Sequence, residues 1–192
     1  SPENLNEIKR ISQLATGSSD TNLMVTSNAV VDTAIVANAI TAHLGNRPIA
    51  VQAYNPDVTD PVLQSFKLDL TAETITLSFS ETVLASSFVE SELTIYAAQS
   101  GAATSFTLSD VTVNTADQTY LEATISTVDL NVIKKDRGLA TGDSDTYVAI
   151  ETGLITDMTG LNSVEAITPA NAVHVDGDFT SDSTNPTLVG FS

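Results

Sequence analysis

The sequence predicts an all-β fold made of β-sandwich modules in tandem, each carrying one short helix. Three observations lead to this prediction. The chain repeats itself at a constant offset of 125 residues, from Leu14 to Leu139 and from Asp57 to Asp182. Short stretches alternate between apolar and polar residues at the period of a half-buried strand. Turn residues separate these stretches without long intervening helices, which is typical of a sandwich or barrel.

Two pairs of segments carry the repeat. Residues 14–21 read LATGSSDT and return at residues 139–146 as LATGDSDT, and residues 57–63 read DVTDPVL and return at residues 182–188 as DSTNPTL. Because the offset is the same for both pairs, the repeating unit has a fixed length. Such a period decides what counts as a domain, so it has to be recognised before the fold is assigned.

The period divides the chain into three parts. Residues 60–184 form one complete module, residues 1–59 match the C-terminal half of a preceding module, and residues 185–192 match the first strand of a following one. A half module cannot bury its apolar face, since small packed units are already near the limit of stability. We therefore expect a longer protein, with earlier sequence that completes the first module. The alternative, in which the last strand of one copy completes the first module of the next, would leave nearly half of that module missing.

In the complete module, the first predicted strand spans residues 62–68 and ends at a turn. Residues 74–80 then alternate strictly, which places Ile75, Leu77 and Phe79 on one face. Period-two alternation with β-branched residues is the pattern of a strand with one buried side. Four shorter stretches continue this pattern, namely residues 93–96, 106–108, 111–113 and 120–125.

A short helix is predicted to follow the last of these strands. Ser126 begins a Ser-x-x-Asp sequence, in which the serine side chain accepts a hydrogen bond from a main-chain N–H of the first turn. Leu130 and Ile133 share one face of this helix, and Gly138 is the stop signal. In the counterpart at the start of the chain, Pro2 takes the first helical position, where its missing N–H costs nothing.

Two late strands are predicted at residues 147–150 and 172–175. Residues 28–40 are rich in alanine and other apolar residues, which locally favours a helix. Their repeat partner, residues 153–165, contains a glycine and reads as a loop. We give the repeat more weight than local propensity and predict a loop for residues 28–40 as well.

Composition excludes several classes of function. The chain has 24 acidic and 7 basic residues and a formal charge of −17, so it lacks the clustered lysines and arginines that bind nucleic acid or an anionic membrane surface. No apolar run approaches the ~20 residues of a membrane span. Cysteine is absent, which excludes disulfides and cysteine-based zinc sites in this segment. A hydrophobic content of 42% indicates a globular chain rather than a disordered one.

Three short motifs follow one another along the module. They are DVTDP at residues 57–61, ITLSFSETV at residues 75–83 and ITDMTG at residues 155–160. In this order they resemble bacterial Ig-like modules of the surface-layer type, over essentially the whole period. That family often has asparagine after the last motif, where this chain has Leu161. The resemblance implies an Ig-like β-sandwich and, by analogy, a structural spacer in large surface, adhesin or appendage proteins of bacteria, protists or large viruses.

The sequence offers few features of an enzyme, and we predict no catalytic site and no organic cofactor. The two histidines, His43 and His174, do not occupy equivalent positions of the repeat. The segment LATG at residues 14–17 and its copy each contain a glycine, but they lack the lysine and the second glycine of a phosphate-binding loop. We interpret this segment as a loop that sets the path into the next strand.

Acidic residues near the module junctions are the candidate metal ligands. Asp57 and Asp60 lie at one junction, and Asp176, Asp178 and Asp182 lie at the other. Calcium takes six to eight oxygen ligands and would relieve the repulsion between crowded carboxylates, so we predict calcium at these positions, where it would stiffen the array. The alternative is a solvated acidic linker, since among these residues only Asp57 and Asp182 are paired by the repeat.

Prolines after the acidic segments are predicted to shape the junctions. Pro61 and Pro186 fix their own φ and favour extended geometry in the residue before them, which limits bending between modules. Paired apolar residues are expected to anchor the first strand of each module. They are Leu63 and Phe66 in one copy, and Leu188 and Phe191 in the next.

The sequence therefore predicts a structural role. We expect a tandem-repeat segment of a long acidic extracellular protein that forms a stalk, fibre, filament or sheath at a cell surface, on an appendage or on a virion. Its predicted partners are neighbouring modules of the same chain and other copies of itself. The alternative is an adhesin module that binds a carbohydrate or another surface ligand, although four tyrosines and no tryptophan supply few aromatic platforms for a sugar.

Overall fold

Most of the stretches that alternate between apolar and polar residues form strands, as predicted. The computed structural model describes residues 1–101, 103–188 and 190. In chain order its helices and strands are α1 Pro2–Arg10, β1 Asn22–Leu23, β2 Ile49–Ala50, β3 Leu63–Asp69, β4 Thr74–Val83, β5 Leu93–Tyr96, β6 Ser105–Thr107, β7 Val111–Val113, β8 Gln118–Ile125, α2 Thr127–Lys135, β9 Tyr147–Ile150, β10 Val173–His174 and β11 Phe179–Thr180. Short 3-10 helices lie at Ala85–Ser87, Glu90–Glu92, Asp143–Asp145 and Pro169–Asn171.

The larger sheet has five strands in the order β11–β3–β4–β8–β7. β4 lies at its centre, because its alternation puts Ile75, Leu77 and Phe79 on one buried face, as predicted. β3 and β8 pair with β4 in antiparallel fashion, so that Leu77 lies opposite Phe66 on one side and Leu121 on the other. β11 extends this sheet by pairing in parallel with the free edge of β3.

The smaller sheet has four antiparallel strands in the order β10–β9–β5–β6. Leu93 and Ile95 of β5 are fully buried, and they lie opposite Ile150 and Val148 of β9. Both β5 and β9 have the bounds predicted from the sequence. Their apolar sides therefore turn towards the interior of the protein.

The five-stranded sheet, the four-stranded sheet and helix α2 contribute side chains to one apolar core. α2 adds Leu130 and Ile133, which are buried as predicted. Each side chain of this size stabilises the fold by about 1.5–3 kcal/mol when it leaves water. The fold is therefore mostly β with two short helices, which agrees with the all-β class predicted from the sequence.

Both helices begin where the sequence predicts. The hydroxyl of Ser126 caps α2 by accepting a hydrogen bond from the Asp129 N–H at 3.2 Å. Ser1 caps α1 in the same way, and Pro2 takes the first helical position. α2 ends three residues before the predicted stop at Gly138, since the residue after its last turn is already extended. With nine residues each, neither helix of the described chain is long enough to cross a membrane.

Residues 1–59 contain α1 and a small sheet formed by β1 and β2. Residues 28–40 form turns and bends rather than a helix, as the repeat predicts. The carboxylate of Asp32 accepts hydrogen bonds from the main-chain N–H groups of Ala34 at 3.2 Å and Asn38 at 2.8 Å. Such bonds offer the backbone an alternative to the helical pattern, so the propensity of the alanines is overridden here.

Some strand boundaries differ from the prediction. β6 lies one residue earlier than predicted, β8 begins two residues earlier, and β10 is confined to two residues. β11 is absent from the prediction, because Phe179 and Thr180 gain strand geometry only by pairing with Leu68 and Asp69 of β3. A pairing of this kind depends on tertiary contact and leaves no periodicity in the sequence.

Candidate functional site

Lys9 joins residues 1–59 to residues 60–184. It lies in the last turn of α1, and its Nζ is 2.5 Å from Oδ2 of Asp57. The same ammonium group contacts the carboxylate of Glu81, near the end of β4. One positive charge is thus shared between a carboxylate of residues 1–59 and a carboxylate of residues 60–184. We call this group of three side chains the Lys9 junction.

A main-chain contact of α1 supports the Lys9 junction. The hydroxyl of Thr82 donates a hydrogen bond to the main-chain carbonyl of Asn6 at 3.0 Å. Asn6 lies one turn before Lys9, so both contacts come from the same face of α1. They fix the helix against the end of β4.

The end of β4 departs from strict alternation where α1 covers it. Glu81, Thr82 and Val83 are buried in succession, whereas a strand with one solvated face would expose every second side chain. The pairing of β4 with β8 also shifts register between Ser78 and Val83. Such irregularities redirect side chains. Here Glu81 and Thr82 contact Lys9 and Asn6 of the N-terminal segment, whereas Val83 belongs to the apolar core.

Burial and charge act in opposite directions on the carboxylates of the Lys9 junction. Burial raises the pKa of Glu81, although the nearby Lys9 ammonium opposes this change. Burial also acts on Asp57, but hydrogen bonds from Lys9 and from the Thr59 N–H outweigh it and lower the pKa of Asp57. The pKa of Lys9 is raised, because its two carboxylate partners outweigh its own partial burial. Glu81 is therefore the first of the two carboxylates to take up a proton on acidification.

A second ion pair lies 125 residues further along. Nζ of Lys134, in the last turn of α2, is 2.9 Å from Oδ2 of Asp182. Within the described residues, no second carboxylate forms an ion pair with Lys134. Lys134 and Asp182 thus repeat the pairing of Lys9 with Asp57.

The aspartates of the two pairs also share their main-chain contacts. Asp57 accepts a hydrogen bond from the Thr59 N–H at 3.2 Å, and Asp182 accepts one from the Thr184 N–H at 2.9 Å. The Thr184 N–H and Lys134 lower the pKa of Asp182. Each carboxylate therefore turns the chain locally and also anchors it to a helix.

The LATG segment forms a closed loop around an aspartate. The carboxylate of Asp20 accepts hydrogen bonds from the main-chain N–H groups of Thr16 at 3.2 Å and Gly17 at 2.7 Å. Ala15 adopts a left-handed backbone with a φ of 55°. The N–H groups that could hold a phosphate are thus occupied by a side chain of the protein itself. This geometry agrees with the interpretation of the segment as a structural loop.

The predicted calcium ligands lie at several different places. Asp57 and Asp182 each pair with a lysine. Asp60 is exposed, Asp176 has a left-handed backbone with a φ of 49°, and Asp178 links β11 to β3 through its main-chain carbonyl. Among the residues that the structure describes, no three His, Cys, Asp or Glu side chains are grouped so as to hold a metal ion. Calcium at the junctions stays a prediction.

The predicted junction residues fall into two sets. Pro61, Leu63 and Phe66 are buried, and the last two belong to the apolar core. Pro186 and Leu188 are exposed. The remaining predicted anchor is Phe191, which lies outside the described residues.

Both histidines make local contacts. Nε2 of His174 lies 2.7 Å from the main-chain oxygen of Asp143, and its ring packs against Tyr147 with 4.7 Å between the ring centroids. Nδ1 of His43 lies 3.3 Å from the main-chain oxygen of Arg47. These contacts tie neighbouring stretches of chain together.

Sequence reasoning missed Lys9, Lys134 and Glu81 as site residues. The sequence did contain a signal for the two lysines. Lys9 and Lys134 are 125 residues apart, and so are Asp57 and Asp182. Two matched residues of opposite charge in a chain with only seven basic residues indicate a conserved pairing within the repeat. Glu81 lies within a strand and far from Lys9 in the sequence, so only the fold brings the two together.

No family model and no curated protein match this chain. Among solved structures, the chain is similar to the crystal structure of the N-terminal part of the bacterial S-layer protein SbsC, with 14% sequence identity and a TM-score of 0.38. The match covers 67% of this chain and 25% of that one. The chain thus spans about a quarter of the length of the structure it matches.

Proposed function

We propose that this protein is a structural segment made of Ig-like β-sandwich modules in tandem. It belongs to a long acidic extracellular protein that forms a stalk, fibre, filament or sheath at the surface of a cell, an appendage or a virion, and it has no enzymatic role. In this proposal residues 60–184 are one complete module, residues 1–59 are the second half of the module before it, and residues 185–192 begin the next. The observation that carries the proposal is the recurrence of one ion pair, Lys9 with Asp57 and Lys134 with Asp182.

The two helices support equal-length copies. α1 and α2 both have nine residues, and their first and last positions each differ by 125 in the chain. Ser1 and Ser126 cap them through the same kind of hydrogen bond. Like sequences that form like helices at a fixed distance are what a tandem array requires.

The loops after the helices support the same conclusion. Ala15 and Ala140 both have left-handed backbones, with φ values of 55° and 51°. Asp145 accepts hydrogen bonds from the N–H groups of Thr141 at 2.9 Å and Gly142 at 2.8 Å, just as Asp20 does in the first copy. A left-handed alanine is uncommon, so its return at the same position favours a repeated fold over chance.

The strand pairing locates a small difference between the copies. The bridge between Val25 and His43 corresponds to the bridge between Ile150 and Ile167. The first partners differ by 125 residues and the second by 124, so the first copy has one additional residue between them. The offset is again 125 at Asp57 and Asp182, so the first copy has one residue fewer between His43 and Asp57, and the two copies keep the same length. The additional residue falls within the stretch that contains the loop at residues 28–40, and loops are where repeats tolerate insertions.

The Lys9 junction supports a mechanical role. It joins residues 1–59 to residues 60–184 through the Lys9–Glu81 ion pair and the Thr82–Asn6 hydrogen bond, while Asp57 holds the same ammonium group from within residues 1–59. Modules joined in this way contact mainly their neighbours, so the stability of an array is close to a sum over modules and junctions. A shared, partly buried cation resists bending at the Lys9 junction more than an open linker does.

Electron microscopy of the native assembly tests this function. An antibody against this chain should label the outside of the cell or virion, along an elongated structure or layer with regular spacing. Labelling confined to the cell interior, or to isolated particles without spacing, would contradict the proposal. Binding on a glycan array without any ordered assembly would favour the adhesin instead.

A further inference from the structure

The apolar face of α1 is open to solvent, whereas the same face of α2 is covered. Leu5 is 53% exposed and its counterpart Leu130 is 1% exposed. Ile8 is 41% exposed and its counterpart Ile133 is 0% exposed. The two helices are alike in length and capping, so the difference comes from what packs against them.

An open cavity of about 830 Å³ lies beside α1. Its lining includes Leu5, Ile8, Leu14, Tyr54 and Pro56, and we call it the α1 groove. A concave surface with apolar side chains of this kind is a usual place for a binding site.

The corresponding cavity beside α2 is much smaller, at about 280 Å³. Leu70, which follows β3, lines it together with Ile133, Leu139 and Phe179. The last three residues are the counterparts of Ile8, Leu14 and Tyr54 in the α1 groove. The complete module therefore shows what covers such a groove, namely the first strand of a module and the residue that follows it.

Main-chain hydrogen bonds hold that strand in place. The N–H groups of Leu68 and Leu70 donate to the carbonyl oxygens of Asp178 at 3.1 Å and Thr180 at 2.9 Å. The counterpart of β11 is the stretch 54–55, which makes no main-chain-to-main-chain hydrogen bond in the described part of the chain. An unpaired edge beside an apolar groove is the arrangement to which an extended peptide adds as a strand.

We propose that the α1 groove binds an extended strand that runs parallel to residues 54–55. This strand carries apolar side chains at alternate positions, as Phe66, Leu68 and Leu70 do in the complete module, and the last of them enters the groove beside Ile8. It comes from a preceding module of the same polypeptide. The inference rests on the proposed tandem organisation and adds the strand and the groove that complete a module.

A second copy of this chain is a poor donor for the groove. β3 has neighbours on both edges, β11 and β4, and its Phe66 and Leu68 are buried in the core. Donating this strand would unfold the donor module.

The test extends the full chain at its N-terminus with a second copy of residues 60–125. The added Ile125 then precedes Ser1 just as the native Ile125 precedes Ser126. Hydrogen exchange measured by mass spectrometry should become at least tenfold slower in α1 and at residues 54–57, because these amides gain the packing that α2 already has. In a control, Phe66, Leu68 and Leu70 of the added copy are replaced by serine, and the exchange should return to that of the original chain.

A substitution in the α1 groove keeps the test valid even if the serine-substituted copy fails to fold. Ile8→Ser should abolish the slowing in the extended chain, yet leave the exchange of the original chain almost unchanged, because Ile8 is already exposed there. Val36→Ser is the matched control, since Val36 is 80% exposed and lies outside the α1 groove. It should keep the slowing intact.

Three outcomes would overturn the inference. They are no slowing in the extended chain, equal slowing with the serine-substituted copy, and slowing that grows with protein concentration, which would mean that another copy supplies the strand. Failure here is separate from failure of the proposed function. A chain whose α1 groove binds no strand can still be found in a regular surface array by microscopy. Conversely, a chain whose α1 groove binds the added strand can still be absent from any such array.

Discussion

Lys9 and Glu81 form an ion pair between two parts of the chain that are 72 residues apart. Glu81 is almost fully buried, and Lys9 brings the charge that lets its carboxylate remain there. A buried ion pair adds little net stability relative to apolar packing, but breaking it is costly because one charge is left without a partner. Lys9 therefore offsets part of the cost of covering this carboxylate with α1, and burial still raises the pKa of Glu81.

Replacing Lys9 by methionine should loosen α1. Without the ammonium group, the carboxylates of Asp57 and Glu81 are left close together without a shared cation. We expect the docking of α1 to weaken by about 2 kcal/mol, between the cost of breaking an exposed pair and that of breaking a fully buried one. Hydrogen exchange of the α1 amides should then be roughly 30-fold faster.

Arg10→Met is the matched control for this substitution. Arg10 is the next residue of α1 and pairs with Glu7, but both side chains are exposed. Exposed pairs contribute about 1 kcal/mol at most. An equal effect of Arg10→Met and Lys9→Met would show that general charge loss, rather than the Lys9 junction, controls α1.

The docking of α1 should depend on pH in two opposite steps. The pKa of Glu81 is raised in the docked state by burial, with Asp57 and Asp157 adding to the effect, so docking is stronger once Glu81 is protonated and weakens as pH rises through its raised pKa. The pKa of Asp57 is lowered, so its contribution is present above its ordinary value of 3.8 and is lost as pH falls through the lowered pKa. The Lys9 contribution is lost only as pH rises above 10.5.

Glu81→Gln isolates the first of these steps. We expect the docked fraction of the native chain to rise as pH falls from 7 towards the pKa of Glu81, and the variant to lack this rise while keeping the loss at lower pH. The measurement is the exchange rate of the α1 amides, corrected for the intrinsic effect of pH. A rise that persists in Glu81→Gln would assign it to a different group.

Local patterns are what made much of the fold predictable. The alternation of Ile75, Leu77 and Phe79 is enough to predict a half-buried strand without any knowledge of the tertiary structure. The cap at Ser126 likewise depends only on the next three residues. Residues 28–40 are the instructive case, because local propensity favoured a helix and the repeat partner correctly indicated a loop.

The site was less predictable, because its parts come from distant positions. Lys9 meets Glu81 only after α1 packs on β4, and no local pattern encodes that contact. Asp57 was predicted as a junction residue because of its charge and its match with Asp182, and it does lie at the Lys9 junction. Its partner there in the structure is a lysine. Pairing the matched lysines with the matched aspartates would have found the contact from sequence.

Removing the carboxylate of Asp129 should destabilise the fold of residues 60–184. This buried side chain accepts hydrogen bonds from the main-chain N–H groups of Ser109 at 2.6 Å and Asp110 at 3.0 Å, and from the Ser109 hydroxyl at 2.7 Å. Asp129→Ala leaves these donors without their acceptor, at a cost of about 3 kcal/mol in the free energy of unfolding measured with denaturant. The repeat-equivalent control Asn4→Ala, at an exposed position, should change it by less than about 0.5 kcal/mol.

Calcium at the junctions is a separate prediction from the sequence. If it holds, the melting temperature should be higher with millimolar calcium than with a chelator, and Asp182→Asn should reduce the difference. Magnesium at the same concentration controls for ionic strength, because it prefers a smaller octahedral site. Identical melting in calcium, magnesium and chelator would leave the aspartates as partners of Lys9 and Lys134 and as solvated acids.

Truncating equivalent isoleucines in the two helices measures how much each helix is covered by its surroundings. Ile133→Ala removes a fully buried side chain from the core, and such truncations cost about 2–5 kcal/mol because they lose apolar burial and leave a cavity. Ile8→Ala removes a side chain that is already 41% exposed, so we expect a loss of less than about 1 kcal/mol. Denaturant unfolding of both variants gives the comparison. Equal losses would mean that Ile8 is buried in solution by a contact within or between chains, and the α1 groove would then already be filled.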